Sequence, residues 1–202
     1  MKKYEYEGKT KEEAIEKAIN ELNVVEKNLI VNIISEKNTL LKKNVKIEVI
    51  NYNDLIDYIK ENIIEITSLM GLNVNLEVRR RDDNITIKIF SDHNAVLIGK
   101  NGSTIEALQT IIRQIVHNET QEFIGVILDV ENYKDKRIKN LEYLAKKVAR
   151  EVKETKVETK LDSMNSCERR IIHSTLSENK YVYTESVGEE PNRCVVIKPK
   201  EV

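Results

Sequence analysis

Short stretches of this chain switch repeatedly between two hydrophobic periods, and this switching constrains the fold more than any single motif. In some stretches apolar and charged residues alternate, as along a half-buried strand. In others the apolar residues recur every three or four positions, as along one face of a helix. The 202 residues include only six glycines and two prolines, so joints between domains must be short or helical. The pattern therefore predicts an α+β fold divided into three small domains.

The first predicted domain covers residues 1–50 and has the order β-α-β-β. Thr10 is predicted to open its helix, because Glu13 follows at the spacing of a capping box. The polar stretch NTLLKKN, residues 38–44, separates the last two strands. The strands are marked by alternating apolar residues: Tyr4 and Tyr6, then Leu29, Val31 and Ile33, and finally Val45, Ile47 and Val49. Such a short domain buries little apolar surface and is marginally stable alone.

The second predicted domain, residues 51–131, has the order α-β-β-loop-α-β. Its first helix is predicted to have Asp54 as N-cap and to end at Gly71. Alternating runs on both sides of Arg81 to Asn84 predict a β-hairpin. After the loop and its helix, GVILDV at residues 125–130 predicts a last strand.

The loop of this domain lies in VLIGKNGSTIEALQ, residues 96–109. It lacks the Gly-x4-Gly-Lys-Ser/Thr spacing of nucleotide hydrolases and the Gly-x-Gly-x-x-Gly spacing of dinucleotide-binding folds. Ser103 to Glu106 has capping-box spacing, which predicts a positive helix end just after the second glycine. Gly99 to Gly102 is therefore either a plain turn, which the short Gly-x-x-Gly signal alone favours, or an anion-binding loop. Both interpretations predict buried apolar neighbours: Val96, Leu97, Ile98 and Ile105.

The third predicted domain, residues 132–202, starts with a strongly charged helix of about six turns from Tyr133. The lysines of this helix are interpreted as a solvated face. A strand at Val157 to Leu161 precedes a second helix, with Asn165 or Ser166 as its N-cap. The remaining strands are predicted around Tyr181 and Tyr183 and at Cys194 to Ile197.

Charge is distributed unevenly, although the formal net charge is only -1. Residues 1–50 carry 10 Lys+Arg and 9 Asp+Glu, residues 51–131 carry 7 and 13, and residues 132–202 carry 16 and 12. The net charges are thus +1, -6 and +4, so affinity for a polyanion is expected mainly in the third domain. Four arginines would offset the negative charge of the second domain if they lay together beside its loop: Arg79, Arg80, Arg81 and Arg113.

Residues that support catalysis or metal binding are scattered. The histidines, His93, His117 and His173, stand far apart, and no His-Glu-x-x-His motif occurs. Cys167 and Cys194 are too few for a disulfide scaffold, and both are predicted to be buried thiols. The sequence therefore predicts a protein that is not an enzyme, with no cofactor, metal or small-molecule substrate. The charged start and the absence of a long apolar run predict a soluble, cytoplasmic protein.

Two domains resemble known nucleic-acid-binding modules. The α-β-β helix-turn-helix order with Gly-x-x-Gly in the turn resembles a type II KH domain, in which this loop clamps about four nucleotides of a single strand. The clamp residues implied here are Gly99, Lys100, Asn101 and Gly102. MNSCERRIIH followed by GEEPNR resembles the single-stranded nucleic-acid-binding family named for its Arg-x3-His motif. That resemblance implies that Arg169 and His173, with Arg170 beside them, face the nucleic acid.

The whole chain resembles the bacterial Jag family, also called KhpB or SpoIIIJ-associated, on the order of its domains and on GKT, IGKNGSTIEALQ, LDVENYKDKR and ERRIIH. The family implies a cytoplasmic protein that binds single-stranded RNA, or single-stranded DNA. The resemblance further implies a role as an RNA chaperone or post-transcriptional regulator that affects cell elongation, cell-wall synthesis or division. The implied protein partners are a small KH-domain protein or a second copy, through the KH domain, and membrane-associated cell-wall machinery, through the N-terminal domain.

Two segments depart from the family pattern. NTLLKKN stands where the family carries a Gly-Phe-Leu-Gly type loop, and Cys167 stands where an aromatic residue usually precedes Glu-Arg-Arg. A second hypothesis is therefore kept beside RNA binding. In it the chain is an interaction scaffold that dimerises through the acidic KH domain and recruits membrane-associated partners through the N-terminal domain. Under the first hypothesis, replacing Arg169 and Arg170 by alanine lowers the salt dependence of RNA binding.

Overall fold

The N-terminal part is a three-stranded antiparallel sheet with one helix on a face. Its elements are β1 (Tyr4–Gly8), α1 (Lys11–Leu22), a short 3-10 turn (Glu26–Asn28), β2 (Leu29–Asn38) and β3 (Lys43–Asn51), and the strand order is β1-β3-β2. Thr10 caps α1 as predicted, because its hydroxyl accepts from the amide of Glu13 at 3.3 Å. The carboxylate of Glu13 in turn accepts from the amide of Lys9 at 2.9 Å, one residue before the N-cap.

The computed structural model describes residues 1–38 and 43–200. Most of NTLLKKN, the segment that departs from the family loop, lies outside the described residues. Within β2, the pairing with β3 shifts between Ile33 and Ser35, which marks a β-bulge.

The middle part has the order and topology expected of a type II KH domain. Its elements are α2 (Tyr52–Leu69), β4 (Val74–Arg81), β5 (Asn84–Ser91), α3 (Asn94–Ile98), a 3-10 turn (Lys100–Gly102), α4 (Ser103–Thr120) and β6 (Gly125–Val130). The strand order is β4-β5-β6, with β4 and β5 forming the predicted hairpin and β6 parallel to β5. The structure therefore places the Gly-x-x-Gly loop between two helices, as the sequence predicted.

The ends of α2 differ in part from the prediction. Asn51, not Asp54, is the N-cap, and its side chain accepts from the amide of Asn53 at 2.9 Å. The apolar stripe did not predict this start, because the helix begins almost a full turn before Leu55, the first residue of the stripe. The prediction for Gly71 is correct, since this residue follows the last turn with φ +77° and lets the helix end.

The N-terminal and middle parts share a hydrophobic core. Ile30 and Ile50, from the N-terminal sheet, are buried in the same cluster as Leu55 of α2, Ile87 of β5 and Leu108 of α4. Residues 1–131 accordingly form one compact unit. Residues of the N-terminal sheet that face α1 form a smaller cluster around Ala14, Ala18, Ile47 and Val49.

Residues 132–202 form the second compact unit. Its elements are α5 (Tyr133–Thr155), β7 (Thr159–Ser163), α6 (Ser166–Leu176), β8 (Val182–Val187) and β9 (Cys194–Pro199), with strand order β7-β9-β8. Asn165 caps α6 in a complete capping box with Glu168, as one of the two predicted alternatives. The first strand begins two residues later than predicted, because Lys156 ends α5 in a left-handed conformation and Val157 follows as exposed chain.

The prediction of two buried thiols is half wrong. Cys194 is buried on β9, but Cys167 is exposed on α6. Cys167 belongs to the helix side that faces away from the core residues Ile172 and Leu176, so the periodicity of the helix already places it outside. With three small sheets and their helices, the predicted α+β class is confirmed for the described chain.

Candidate nucleic-acid interface

The loop from Gly99 to Gly102 has a backbone that turns through the left-handed region three times. Gly99, Asn101 and Gly102 have φ of +73°, +54° and +83°. The amide of Gly102 donates to the carbonyl of Gly99 at 3.3 Å, which closes the turn. The loop thus presents its backbone tightly against the start of α4.

The predicted capping box at Ser103 does not form. Ser103 already has helical dihedrals, φ -60° and ψ -38°, so the N-cap is Gly102, which has no side chain. A glycine at the N-cap supplies no side-chain oxygen to the amides at the start of α4. The positive end of an 18-residue helix therefore meets the loop without a side-chain acceptor at its N-cap.

Gly99 also lies too close to α4 to carry a side chain. A Cβ atom at this position would meet the hydroxyl of Thr104 and would lie 2.9 Å from the amide nitrogen of the same residue. Lys100 and Val96 are exposed beside the loop, and Val96 retains 52% of its accessible surface. The prediction that Val96 is buried is therefore wrong, whereas Leu97 and Ile105 are buried as predicted. The core needs only one side of the five-residue helix α3, and Val96 lies on its other side.

The four arginines of the middle part do not gather at the loop. Arg80 lies over the ring of Tyr52, 3.4 Å from the centroid, and donates to the carbonyl of Lys27 and to the side chain of Asn28. Arg113 donates through Nε to the carbonyl of Val126 at 2.7 Å. Two of the four are therefore engaged in structural contacts, while Arg79 and Arg81 are exposed on β4.

On α6, Arg169 is 8% exposed and forms two hydrogen bonds. Its Nη1 donates to the carbonyl of Met164 and to Oε1 of Glu190, both at 2.8 Å. The side chain of Glu190 is 60% exposed, so this ion pair has a buried half and a solvated half. Arg169 thereby ties the start of α6 to the turn between β8 and β9.

His173 lies one turn further along α6 and connects it to β8. Its Nδ1 is 2.6 Å from the hydroxyl of Thr184, and its Nε2 is 2.8 Å from the hydroxyl of Ser186. Burial, followed by the nearby Arg169 guanidinium, lowers the pKa of His173 below its ordinary value of 6.5. The neutral ring has one donor and one acceptor nitrogen, and a hydroxyl can match either.

Arg170 is separated from the other two residues of the predicted set. It is exposed and lines a groove of about 500 Å³ between α5 and α6, together with Ile138, Lys146 and Cys167. Consecutive helix residues point about 100° apart, so Arg170 cannot share the side on which Arg169 and His173 meet β8.

Sequence reasoning missed the partners that hold Arg169 and His173. Glu190 belongs to the GEEP segment that supported the family resemblance, but its pairing with Arg169 had no local signal because 21 residues separate the two. Thr184 and Ser186 alternate on β8, so they share one sheet face, and that period-two pattern was a detectable signal.

Clusters of metal-ligating side chains and membrane-spanning helices are both absent from residues 1–38 and 43–200. This part of the chain contains no group of three or more His, Cys, Asp or Glu side chains arranged to hold a metal ion. Its helices include none that is both long and apolar enough to cross a membrane.

Three family models match the chain in sequence. The first two describe the Jag N-terminus at residues 6–50 and the KhpA/KhpB KH domain at residues 53–128. The third describes, at residues 139–199, the domain that takes its name from the Arg-x3-His motif.

Curated relatives match two thirds or more of this chain. RNA-binding protein KhpB of Clostridium symbiosum is 35% identical over 199 residues, which cover 96% of this chain and 90% of that protein. RNA-binding protein KhpB of Bacillus subtilis is 31% identical over 200 residues, which cover 96% of both chains. RNA-binding protein KhpB of Lactiplantibacillus plantarum is 34% identical over 135 residues, 67% of this chain and 42% of that protein. By these matches along nearly its whole length, the chain belongs to the KhpB family.

Proposed function

We propose that this protein binds single-stranded RNA and acts as an RNA chaperone or post-transcriptional regulator rather than as an enzyme. The observation that carries the proposal is the loop from Gly99 to Gly102, which leads into a helix whose N-cap is a glycine and has Lys100 exposed beside it. The names of the curated relatives support RNA as the ligand class.

In the proposed interface, the loop holds the backbone of the strand. The glycines let a phosphate approach the main chain closely, and the positive end of α4 attracts it. Lys100 adds a charge, and Asn101 adds a polar side chain at the turn. The exposed Val96 offers an apolar surface to the adjacent sugar or base.

In the C-terminal unit we assign the direct phosphate contact to Arg170, which is exposed. Arg169 and His173 shape the neighbouring surface by joining α6 to Glu190 and to β8. A phosphate that reaches Arg169 must compete with the carboxylate of Glu190. The contribution of the Arg-x3-His pair is thus largely one of positioning.

The loop assignment is tested with the double variant Lys100→Asp, Asn101→Asp in the full chain. A control, Lys11→Asp with Asn20→Asp on α1, changes the net charge equally at exposed positions away from the loop. We expect the loop variant to bind a single-stranded RNA oligonucleotide at least tenfold more weakly than the control, at equal thermal stability. Equal affinities of the two variants would contradict the assignment of the clamp to this loop.

We further propose a cytoplasmic role in cell elongation, cell-wall synthesis or division. A strain lacking the gene and complemented with the loop variant or the control tests this role: only the control should restore cell length and wall morphology. Restoration by both variants would separate the cellular role from RNA binding by the loop.

The scaffold function is the second candidate, and one surface favours it. Phe123 is 92% exposed and stacks on His117 at a centroid distance of 4.7 Å, at the end of α4 beside β6. We propose that this aromatic pair belongs to a contact with a second copy or with a small KH-domain protein. Phe123→Ser should weaken self-association in sedimentation experiments and leave RNA affinity unchanged; if RNA affinity falls equally, the surface belongs to the RNA site.

A further inference from the structure

One face of α5 carries four basic residues around a tyrosine. Lys139, Lys146, Lys147 and Arg150 lie four residues before and three, four and seven residues after Tyr143, so all five share the solvent side of the helix. We call these five residues the basic stripe. All are exposed, and Tyr143 keeps 66% of its surface accessible.

Folding does not explain the basic stripe. The core of the unit takes the opposite face of α5, where Leu141, Ala145, Val148 and Val152 are buried. Aromatic residues gain stability by burial, and Tyr143 gains little of it here. Lys146 and Arg150 are also four residues apart, and Lys147 and Arg150 three apart, spacings at which like charges destabilise a helix.

The lysines of the basic stripe have no anionic partner in the described chain. Lys139, Lys146 and Lys147 form no ion pair there, although Glu142 and Glu151 stand four residues from Lys146 and Lys147. Arg150 donates only to the backbone carbonyl of Lys146, at 3.4 Å. The positive charge on this face is therefore available to an external polyanion.

The basic stripe continues into the groove between α5 and α6. Lys146 borders both, and across the groove Arg170 provides a further exposed cation. Along α5 the stripe spans about 16 Å, from Lys139 to Arg150, at the usual helical rise. Glu142 also lines the groove, so the surface is a mainly cationic track with an aromatic ring in its middle.

We propose that the basic stripe is a second single-stranded RNA site, in which a base stacks on Tyr143 and the flanking phosphates contact the stripe cations. From there the strand crosses the groove toward Arg170. This inference rests on the proposed RNA-binding function and adds a surface that lies outside the Arg-x3-His pair. Cationic grooves with exposed aromatic rings bind single strands because every base has a π face. An anionic membrane or an acidic protein would use the cations but would not need the ring.

The first experiment places a reporter at the proposed stacking position. The chain contains no tryptophan, so Tyr143→Trp introduces a single indole in the full-length protein. Titration with a 12-nucleotide oligo(A) RNA should quench its fluorescence saturably, at the concentration at which fluorescence anisotropy of labelled RNA reports binding. Anisotropy that saturates while the indole emission stays constant would overturn the proposal. Quenching by anionic phosphatidylserine vesicles but not by RNA would overturn it in favour of a membrane surface.

The second experiment measures the contribution of the cations. Lys139→Gln, Lys146→Gln, Lys147→Gln is compared with the control Lys2→Gln, Lys11→Gln, Lys27→Gln, which removes the same charge from exposed positions of the N-terminal part. The slope of log K against log salt concentration should fall by about 2 in the stripe variant, at about 0.7 for each phosphate that the protein no longer neutralises. The control should change it by much less. If the two variants gave equal slopes while the wild type still bound RNA, the basic stripe would not be an RNA site, and the proposed function would be unaffected.

The tyrosine is tested separately from charge. Tyr143→Leu should weaken RNA binding about tenfold, because the leucine side chain cannot stack on a base, whereas Tyr143→Phe should retain the affinity. Equal affinities of the leucine and phenylalanine variants would overturn the stacking contact. If the wild-type chain itself binds no RNA in these titrations, the proposed function fails together with the inference.

Discussion

At the scale of single residues, the imidazole ring of His173 lies between the hydroxyl groups of Thr184 and Ser186 on β8, near the guanidinium of Arg169. A cationic imidazole in this place would lose hydration and face the positive charge of Arg169, so the fold favours the neutral form. The neutral ring brings no positive charge to this surface, and its bonds to Thr184 and Ser186 join α6 to β8.

The lowered pKa of His173 predicts how stability depends on pH. Between the folded pKa and the unfolded value near 6.5, the unfolded chain binds more protons, so the free energy of unfolding falls as the pH drops through this window. His173→Gln removes this dependence, so the variant should be less stable than wild type at pH 8, and the gap should narrow by pH 5. Denaturant unfolding at several pH values measures it, with exposed His93→Gln as control. A gap that is constant with pH would contradict the prediction.

Gly99 offers a second prediction, with a matched control in the same domain. Gly71 has nearly the same φ, +77°, but open space where a Cβ atom would lie. Gly71→Ala should cost about 1 kcal/mol, for the left-handed conformation alone. Gly99→Ala should cost about 1 to 3 kcal/mol more, because the new methyl group meets Thr104 and because ψ of -178° places Gly99 in a region that only glycine adopts readily. Equal costs in chemical denaturation would show that α4 moves aside without penalty.

At the scale of elements, Arg80 joins the 3-10 turn before β2 to the hairpin of the KH domain. Its guanidinium reaches Lys27 and Asn28 on one side and the carbonyl of Asp82 on the other. Tyr52, beneath it, donates to Asp83 at 2.8 Å. Burial and this bond raise the pKa of Tyr52 to about 12, so the phenol remains a donor over the physiological range.

Removing Arg80 should loosen this junction. Arg80→Ala removes three side-chain hydrogen bonds and a cation–π interaction, and we expect the unfolding free energy to fall by about 2 to 3 kcal/mol. Arg79→Ala, the exposed neighbour on β4, should change it by less than about 0.5 kcal/mol. Similar decreases in the two variants would mean that the hydrogen bonds of Arg80 contribute no more than those of a surface arginine.

The elements were largely predictable from the sequence, and the contacts between them were not. Periodicity located α2, α4, α5 and the KH hairpin because each buries one regular face. The sequence located the start of α4 just after Gly102, but it missed the N-cap of α2 at Asn51 and that of α4 at Gly102, since capping depends on the dihedral angles of single residues. The Arg169–Glu190 pair and the Arg80 junction join residues distant in sequence, and a pattern of short period carries no information about them.

At the scale of the whole molecule, the hydrophobic clusters and the net charge both divide the chain between residues 131 and 132. The hydrophobic clusters lie either within residues 1–131 or within residues 132–202. The first unit has a net charge of -5, from +1 and -6, whereas the second has +4. The basic stripe and Arg170 both belong to the second unit, where net charge favours a polyanion.

Separate cores predict two unfolding transitions in calorimetry of the full chain. Arg169→Gln removes a nearly buried side chain bonded to the Met164 carbonyl, so it should cost about 2 kcal/mol and lower one transition by on the order of 10 °C. Arg80→Ala should lower the temperature of the other transition. Arg170→Gln, which removes the same charge as Arg169→Gln from an exposed position, should shift neither. If Arg169→Gln and Arg80→Ala both lowered the temperature of the same transition, the two cores would not unfold independently.

The contacts between α4 and β6 also set a limit on how such molecules can join. Arg113 bonds the carbonyl of Val126, and Gln109 accepts from the amide of Leu128, so two backbone groups of this border strand are already taken. The other border of the same sheet is β4. Growth of a fibre by strand addition needs two free borders on every molecule. Growth across the β6 border would first have to break the bonds that Arg113 and Gln109 make to this strand.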